Sequence, residues 1–171
     1  MKILFNQYQL QAAVNKVAAE IYRKHYNDPS PPVMICVLNG AFMFFTDLVK
    51  HINIDCEIDF IQAKSYQGQE QFTVNITKDI TTDITGKNVY VIDDILDSGN
   101  TLTKLIDHLG KYHKPRSITP VVLFKKHTSQ WPVLHGIELT DEAWLCGYGL
   151  DGEKGLYRNR SVIFGKSEEI D

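Results

Sequence analysis

Three aspartates stand close together at the end of an apolar run, and this spacing indicates a binding site for a charged ligand. Residues 89–101 read VYVIDDILDSGNT, with Asp93 and Asp94 at the end of a predicted strand and Asp97 shortly after them. In a parallel sheet, ligands bind beyond the carboxyl ends of the strands. The alternative is that these acids only cap and solvate a strand-to-helix turn. Three acids within five residues are more than such a turn requires, so we interpret them as part of a ligand site.

The loop that follows the aspartates is typical of a phosphate cradle. Ser98, Gly99, Asn100 and Thr101 lead directly into a predicted helix. Backbone N–H groups at a helix start point toward an anion, and the helix terminus adds about half a positive charge. The hydroxyls of Ser98 and Thr101 supply further donors, and Gly99 lets the backbone approach the ligand closely.

Carboxylates repel phosphate, so the aspartates beside this cradle need a partner of their own. Mg²⁺ binds carboxylate and phosphate oxygens together, and carboxylates accept hydrogen bonds from vicinal sugar hydroxyls. The segment therefore predicts a ligand that carries both phosphate and sugar, with Mg²⁺ as cofactor. A P-loop is excluded, because the chain has no GxxxxGK[ST] pattern.

Helices and strands alternate in the pattern needed to place these residues at one edge of a sheet. Helical periodicity is found in Gln7–His25 and in residues 41–52 and 101–112. Buried strands are predicted at Val33–Leu38 and at residues 57–63, 89–96 and 118–124, with further candidates at 144–150 and 162–164. This alternation predicts an α/β fold with a mainly parallel sheet, in a single domain over residues 1–171.

Residues 64–85 are polar, and β-branched residues alternate over 72–76. We interpret this stretch as a mobile hairpin or lid that lies outside the core. An ordinary solvated hairpin is the alternative interpretation.

Composition and charge exclude several classes of protein. The chain of 171 residues is 43% hydrophobic and 23% charged, as in a globular domain. A net charge of −3 argues against nucleic-acid binding, and no apolar run approaches the roughly 18 residues of a membrane span. The first ten residues are too polar for a signal peptide. We therefore expect a cytoplasmic protein with no nucleic-acid or membrane partner.

Cysteines and histidines show no metal-binding or catalytic pattern. Cys36, Cys56 and Cys146 are scattered in apolar stretches, which predicts reduced, buried thiols. The histidines are expected at the surface or at helix ends, without metal-ligand spacing: His25, His51, His108, His113, His127 and His135.

The strand, the acid pair and the DSGNT loop resemble the signature that binds phosphoribosyl diphosphate (PRPP) in type I phosphoribosyltransferases. Over nearly its whole length the chain is similar to the hypoxanthine (hypoxanthine-guanine) phosphoribosyltransferases. The resemblance implies a mainly parallel central sheet flanked by helices, a small hood and a flexible hairpin lid. It also implies purine salvage, in which phosphoribosyl passes from PRPP to N9 of hypoxanthine or guanine and IMP or GMP forms with diphosphate.

The resemblance assigns PRPP-binding roles residue by residue. Asp93 and Asp94 match the pair that holds the ribose hydroxyls directly or around Mg²⁺, and Asp151 matches a second metal-binding carboxylate. Arg158 matches an arginine that meets the diphosphate, with Arg160 as its nearest alternative. The remaining PRPP-binding matches are the diphosphate loop Leu38, Asn39 and Gly40, the lid pair Ser65 and Tyr66, and the phosphate loop Ser98, Gly99, Asn100 and Thr101. Family members often carry lysine where this chain has Asn39.

The resemblance also assigns the purine site. Asp97 matches the general acid/base near N7 of the purine, where a carboxylate can accept the proton. Lys125 matches the lysine that donates to the 6-oxo group, and Lys126 takes this role if the alignment slips by one residue. An ammonium donor selects a carbonyl over an exocyclic amine and so disfavours adenine. Trp144 matches an aromatic that stacks on the purine, and Leu145 offers its backbone to the base edge.

Several alternatives remain open at this point. Xanthine or a pyrimidine could replace hypoxanthine and guanine as the base. A different class is an RNA-binding regulator built on the same fold, against which the acidic balance counts. A third is a nucleotide-binding fold that has lost activity. The resemblance further implies a homodimer or homotetramer, in which the apolar face of residues 41–45 belongs either to an interface or to the core.

Overall fold

The structure, a computed structural model, describes residues 1–67, 72–140 and 144–165. Helices and strands alternate along most of this part of the chain. In chain order the elements are β1 (Lys2–Phe5), α1 (Gln7–His25), β2 (Val33–Leu38), α2 (Phe42–His51), β3 (Glu57–Gln67), β4 (Phe72–Lys78), β5 (Asn88–Leu96), α3 (Asn100–His113), β6 (Ser117–Lys126), β7 (Leu134–Leu139), β8 (Leu145–Cys146) and β9 (Ile163–Gly165).

A six-stranded sheet forms the centre of the molecule, in the order β4-β3-β2-β5-β6-β7. All neighbouring strands pair in parallel except β4, which pairs with β3 in the antiparallel sense. The predicted mainly parallel α/β fold is therefore confirmed. From β2 the chain crosses to β3 on one side, whereas from β5 it crosses to β6 on the other side. This reversal opens a crevice beyond the carboxyl ends of β2 and β5, where ligands bind in such sheets.

The helices cover both faces of the sheet. One core cluster joins α1 and α2 to Met34, Cys36 and Ile92, and the other joins α3 to Val33, Ile35 and other strand residues. Alternate residues of β2 thus point to opposite faces, as the twofold period of a strand requires. Because both faces are buried, the central strands read as continuous apolar runs rather than as an apolar–polar alternation.

The strongly periodic elements occur where the sequence predicts them. The helix Gln7–His25 and the strand Val33–Leu38 have the predicted bounds. Asn6 begins α1 with a capping box, because its side chain accepts from the backbone N–H of Gln9 while the Gln9 side chain accepts from the N–H of Asn6. The other central elements differ from their predicted bounds by at most four residues.

A small second sheet, in the order β1-β9-β8, corresponds to the implied hood. The sequence patterns did not predict β1, nor did they predict β7 at the edge of the central sheet. The strand expected at residues 144–150 is reduced to Leu145–Cys146. The physical reason is that Gly147, Tyr148 and Gly149 all have positive φ angles, which end the extended backbone.

The hairpin predicted within residues 64–85 is present as β3 and β4. The expectation that the whole stretch lies outside the core is wrong, because Ile80 and Ile84 are buried against the α3 side of the sheet. The buried carboxylate of Asp59 fixes this segment by accepting hydrogen bonds of 2.7 Å from the backbone N–H groups of Thr81 and Thr82.

All three cysteines are free thiols, as expected, although Cys56 is only half-buried. Burial, together with the nearby carboxylates of Asp93 and Asp94, raises the pKa of the Cys36 thiol to about 12, so it stays protonated. His25 is the last residue of α1, one of the helix-end positions expected for the histidines, although it does not lie at the surface. It is buried, and its Nε2 donates to the carbonyl oxygen of Ser30 at 2.7 Å.

Candidate functional site

Two cavities adjoin in the crevice beyond β2 and β5. The first has a volume of about 370 Å³ and lies between the loop after β2 and the loop after β5. The second has a volume of about 400 Å³ and lies between Lys126 and Trp144. The cavities share the lining residues Asp94, Ile95, Asp97 and Asp151. A ligand with two chemically different parts can therefore occupy both cavities.

The loop after β5 offers backbone donors to the first cavity. Gly99 has φ 78° and ψ 0°, a left-handed conformation that favours glycine, and it stands at the N-terminus of α3. In the described chain no side chain caps this terminus at Gly99, and the first turn of α3 carries no acid. The free backbone N–H groups in the first turn of α3 can therefore donate to an anion, which the positive end of the helix dipole would also attract. Ser98, Gly99, Asn100 and Thr101 all line the cavity, and their predicted contact with a phosphate stays a prediction.

The loop after β2 forms the opposite wall and packs tightly on the acid pair. The peptide between Leu38 and Asn39 is cis, and Leu38 and Gly40 line the cavity. A Cβ at Gly40 would collide with the Oδ2 atom of Asp94, and a Cβ at Gly149 would collide with the carbonyl oxygen of Gly40. Glycine is therefore needed at both positions for the loop after β2 to pack between Asp94 of β5 and the turn that contains Gly149. Residues 147–152, GYGLDG, have the glycine spacing of a dinucleotide fingerprint, but here they form a turn that packs on this loop rather than a strand-to-helix turn.

Asn39 is held by a chain of side-chain hydrogen bonds. Gln62 of β3 donates through Nε2 to Oδ1 of Asn39 at 3.1 Å. Thr77 of β4 donates through Oγ1 to Oε1 of Gln62 at 3.1 Å. The hairpin is therefore tied directly to the loop after β2, a link that the sequence analysis did not predict because its members are far apart in the chain.

The acid pair lies at the base of the first cavity. The N–H of Asp94 donates to Oδ1 of Asp93 at 2.9 Å, and the N–H of Ile95 donates to Oδ1 of Asp94 at 2.7 Å. Burial and repulsion by Asp94 raise the pKa of Asp93 well above its usual range, and burial also raises the pKa of Asp94. Two half-buried carboxylates that repel each other in this way form a donor set that a hard dication would stabilise.

Asp151 and Arg158 form the third wall. The guanidinium of Arg158 donates to the carbonyl oxygen of Gly149 at 2.7 Å and lies 2.9 Å from Oδ2 of Asp151. Arg158 lines the first cavity and is close enough to Asp94 to lower the pKa of that carboxyl against the effect of burial. The alternative Arg160 lies in the turn beside Tyr148, where its backbone carbonyl accepts from the N–H of that residue. The geometry thus favours Arg158 for contact with an anion in this cavity.

The second cavity combines an aromatic side chain with a cation. Trp144 is 39% exposed, Leu145 is buried beside it, and both line the cavity. The ammonium of Lys126 lies 2.9 Å from Oδ2 of Asp97. Lys126 is the only lysine among the described residues that line this cavity, and Lys125 is not part of the lining. Because successive residues of a strand point to opposite faces, the geometry favours Lys126 over Lys125 for contact with a ligand here.

The lid pair is described only as backbone. Ser65 and Tyr66 lie on β3, where they pair with Val74 and Thr73 of β4. Their side chains, and the hairpin tip at residues 68–71, lie outside the described part of the chain. The predicted contact of this pair with a ligand therefore stays a prediction.

Comparison with known proteins identifies the family of this site. Residues 2–151 match the phosphoribosyl transferase domain. The hypoxanthine-guanine phosphoribosyltransferase of Bacillus subtilis (strain 168) is 37% identical over 95% of this chain and 91% of its own length. The hypoxanthine-guanine-xanthine phosphoribosyltransferase of Tritrichomonas foetus is 36% identical over 95% of this chain and 89% of its own length.

Solved structures agree with these relatives. A crystal structure of a hypoxanthine-guanine phosphoribosyltransferase from Bacillus anthracis superposes with a TM-score of 0.88 at 36% identity, covering 98% of this chain and 99% of that one. A point mutant of the Trypanosoma cruzi hypoxanthine phosphoribosyltransferase, in a ternary complex with substrates, superposes with a TM-score of 0.86 at 28% identity. That match covers 99% of this chain and 96% of the Trypanosoma cruzi chain.

Proposed function

Because the chain belongs to the phosphoribosyl transferase family, we propose that it is a purine-salvage enzyme that joins a 6-oxopurine to the phosphoribosyl group of PRPP. The products are a purine nucleotide, IMP or GMP, and diphosphate. The observation that carries this proposal is the meeting of two unlike cavities at Asp97. One combines a phosphate cradle with an acid pair, and the other combines an aromatic face with a lysine.

PRPP occupies the first cavity in this proposal. Its 5′-phosphate binds the backbone N–H groups and hydroxyls of residues 98–101, and its ribose hydroxyls face Asp93 and Asp94. The diphosphate lies toward Leu38, Gly40 and Arg158, where the guanidinium supplies positive charge. Ser65 and Tyr66 are proposed to close over the ligand and exclude water, which would otherwise compete with the purine for the sugar.

Mg²⁺ is the proposed cofactor, and the residues present fit it. Asp93, Asp94 and Asp151 all line the first cavity, and carboxylates are the ligands that Mg²⁺ prefers alongside phosphate oxygens. The raised pKa values of Asp93 and Asp94 support this assignment, because a dication would relieve the desolvation and repulsion that raise them. When bound, Mg²⁺ neutralises charge on the diphosphate and so makes it a better leaving group.

The purine occupies the second cavity. Trp144 stacks on the base, a contact worth about 1–3 kcal/mol, and Leu145 offers its backbone to the base edge. The ammonium of Lys126 donates to the 6-oxo group, and an exocyclic amine at that position would leave the donor without an acceptor. This selects hypoxanthine or guanine over adenine.

Asp97 is proposed as the general acid/base. It lines both cavities, which supports a position near the junction where, in this proposal, N9 of the purine meets C1 of the ribose. As N9 attacks C1 and the bond to diphosphate breaks, Asp97 accepts the proton that the purine loses at N7. The Lys126 ammonium at 2.9 Å keeps this carboxylate oriented. No covalent enzyme intermediate is needed, because positioning and electrostatics supply the acceleration.

Further properties extend the proposal to the whole protein. We propose a single domain over residues 1–171 that works in the cytoplasm as a homodimer or homotetramer, without nucleic-acid or membrane partners. Within the residues described, no helix has the length and apolarity to cross a bilayer. In the apolar segment 41–45, Phe44 and Phe45 are buried whereas Phe42 is 39% exposed, so this segment belongs mainly to the core.

The test is an assay of purified protein with PRPP and Mg²⁺ against hypoxanthine, guanine, xanthine, adenine and uracil. Turnover of hypoxanthine or guanine, abolished by a chelator and lowered about 10²–10⁴-fold by Asp97→Asn, would support the proposal. Xanthine is included because the Tritrichomonas foetus relative is named for all three 6-oxopurines. If PRPP binds but no base reacts, the salvage function is wrong and the RNA-binding regulator becomes the better hypothesis.

A further inference from the structure

A cluster of two histidines and an aspartate lies outside the proposed active site. Nε2 of His108 lies 2.7 Å from Oδ2 of Asp79, and Nε2 of His113 lies 3.2 Å from the same oxygen. The ligand atoms of the three residues all lie within 4.8 Å of one another. The spacing of the histidines in the sequence does not indicate this cluster, which arises because the fold brings Asp79 to the end of α3.

We propose that Asp79, His108 and His113 bind a divalent transition-metal ion of the Zn²⁺ type, with a water in the fourth position. Zn²⁺ in proteins is bound tetrahedrally at about 2.0–2.1 Å by imidazole nitrogens and carboxylate oxygens. Ligand atoms on such a tetrahedron stand about 3.3 Å apart. The two separations at Asp79, 2.7 and 3.2 Å, are close to this value, and the two imidazole nitrogens lie within 4.8 Å of each other.

The chemistry of the ligands distinguishes this site from the active site. Imidazole nitrogens suit Zn²⁺, Ni²⁺ and Cu²⁺, whereas Mg²⁺ prefers an all-oxygen set. The cluster would therefore bind a transition metal in the presence of the Mg²⁺ that the reaction uses. Along α3, which begins at Asn100, His108 lies about 12 Å and His113 about 20 Å from the loop of residues 98–101 at its start.

The aspartate is already oriented for this role. The N–H of Ile80 donates to Oδ1 of Asp79 at 2.8 Å, which leaves Oδ2 to face the two imidazoles.

The surroundings of the cluster tolerate a cation. Asp83, whose Oδ1 accepts from the N–H of Thr85 at 3.0 Å, lies near His113 and adds negative charge beside the cluster. The nearby ammonium of Lys78 is directed at backbone carbonyl oxygens, those of Phe60 at 2.6 Å and of Asp79 at 3.2 Å. The side chains of His108 and His113 are 23% and 24% exposed, so an ion can enter from solvent.

A bound ion would tie two parts of the fold together. Asp79 directly follows β4, the second strand of the hairpin, and the histidines lie in the last two turns of α3. The ion would thus fasten the base of the hairpin to the helix that begins at the phosphate loop. We infer a stabilising role, since the cluster is too far from the two cavities to touch a substrate.

The test is a calorimetric titration with Zn²⁺. The protein is first treated with a chelator and then exchanged into a buffer with saturating Mg²⁺, which keeps the carboxylates of the proposed active site occupied. The wild-type protein should bind one Zn²⁺ ion at this cluster. At about 100 times the dissociation constant, Zn²⁺ should raise the Tm by about 5–10 °C. Co²⁺ in place of Zn²⁺ should show the visible absorption of a four-coordinate ion.

Asp79→Asn and His108→Gln are the test variants, and His51→Gln is the matched control. Asp79→Asn keeps the Oδ1 atom that accepts from Ile80, so the local fold should survive. Both test variants should weaken Zn²⁺ binding about 100-fold or more, because even the loss of an outer-shell partner costs about 10–100-fold. They should also abolish the Tm shift, while turnover with Mg²⁺ alone stays within about twofold of wild type. His51→Gln should bind as wild type does.

Two results would overturn the proposal. One is equal Zn²⁺ affinity and an equal Tm shift in wild type, Asp79→Asn and His108→Gln. The other is Zn²⁺ binding that survives in Asp79→Asn but is lost in Asp93→Asn, which would place the ion at the active-site carboxylates.

Discussion

The ammonium of Lys126 lies 2.9 Å from Oδ2 of Asp97, and this contact joins the end of β6 to the phosphate loop after β5. The side chain of Lys126 is 21% exposed and that of Asp97 is 66% exposed, so the lysine is held in the cavity while the carboxylate stays accessible to a ligand. In the proposed reaction, this pair places the donor for the 6-oxo group beside the base for the N7 proton.

Lys126→Gln should lower kcat/KM for hypoxanthine by about 10–150-fold, because a charged hydrogen bond worth about 1.5–3 kcal/mol is lost. The neighbouring Lys125→Gln is the matched control and should stay within about twofold of wild type, since Lys125 lies outside the cavity lining among the described residues. Steady-state kinetics with each variant provides the measurement. If Lys125→Gln shows the large loss and Lys126→Gln does not, the assignment of the base-contacting lysine is reversed.

Gly40→Ala should weaken PRPP binding at least about tenfold. The added Cβ would collide with the carboxylate of Asp94 and must displace either the acid or the loop after β2. Gly110→Ala on α3 is the matched control, because a Cβ there meets nothing within 4 Å and alanine stabilises a helix interior by about 0.5–1 kcal/mol. Titration of PRPP by calorimetry measures the effect. Unchanged PRPP affinity in Gly40→Ala would contradict the close packing of loop and acid.

Gln62→Ala should raise the KM for PRPP by about 2–12-fold, since the hydrogen bond of Gln62 to Asn39 contributes about 0.5–1.5 kcal/mol to holding the loop. Gln62→Glu keeps an acceptor for Thr77 but removes the donor to Asn39, so its KM should also rise. Gln11→Ala, which breaks an exposed helix contact with Asn15, is the control and should leave the KM unchanged. A wild-type KM in both Gln62 variants would mean that the loop does not depend on this link.

Asp59 should make stability depend on acid pH. Burial raises its pKa, but hydrogen bonds from the backbone N–H groups of Thr82, Phe60 and Thr81 outweigh burial and lower the pKa to about 2. Because the folded pKa is below the unfolded value of about 3.9, the stabilisation is fully present above that value and is lost as the pH falls toward 2. A shift of about two units corresponds to about 2.6 kcal/mol at neutral pH.

Asp59→Asn should therefore lower the free energy of unfolding by about 1–3 kcal/mol at pH 7 and by clearly less at pH 3. Urea unfolding at the two pH values provides the measurement. Asp55→Asn, at an exposed position nearby, should change stability by less than about 0.5 kcal/mol at either pH. A cost of Asp59→Asn that is the same at both pH values would show that the carboxylate charge is not the source of the stabilisation.

The elements that could be predicted from sequence are those with a local signal. The stripe of apolar residues along Gln7–His25 and the proline-rich segment 27–32 after it predicted the bounds of α1 correctly. The capping box at Asn6 is a further local signal at the start of this helix. β1 and β7 were not predicted, because each forms a strand by pairing with another strand and its own residues show no clear strand pattern. β1 pairs with β9, which lies at the other end of the chain.

The sequence alone determined the strand-to-helix turn that carries the acid pair and the proposed phosphate loop, because Asp93, Asp94 and residues 97–101 are nearly contiguous in the chain. Only the tertiary structure decided which lysine faces the second cavity, because a shift of one residue along β6 reverses the side of the sheet. It also decided that Gly149 packs against the backbone of Gly40 and that Gly40 packs against Asp94. In the same way it brought Asp79 to His108 and His113. Such contacts join segments distant in the chain, and packing across the sheet, rather than local spacing, brings them together.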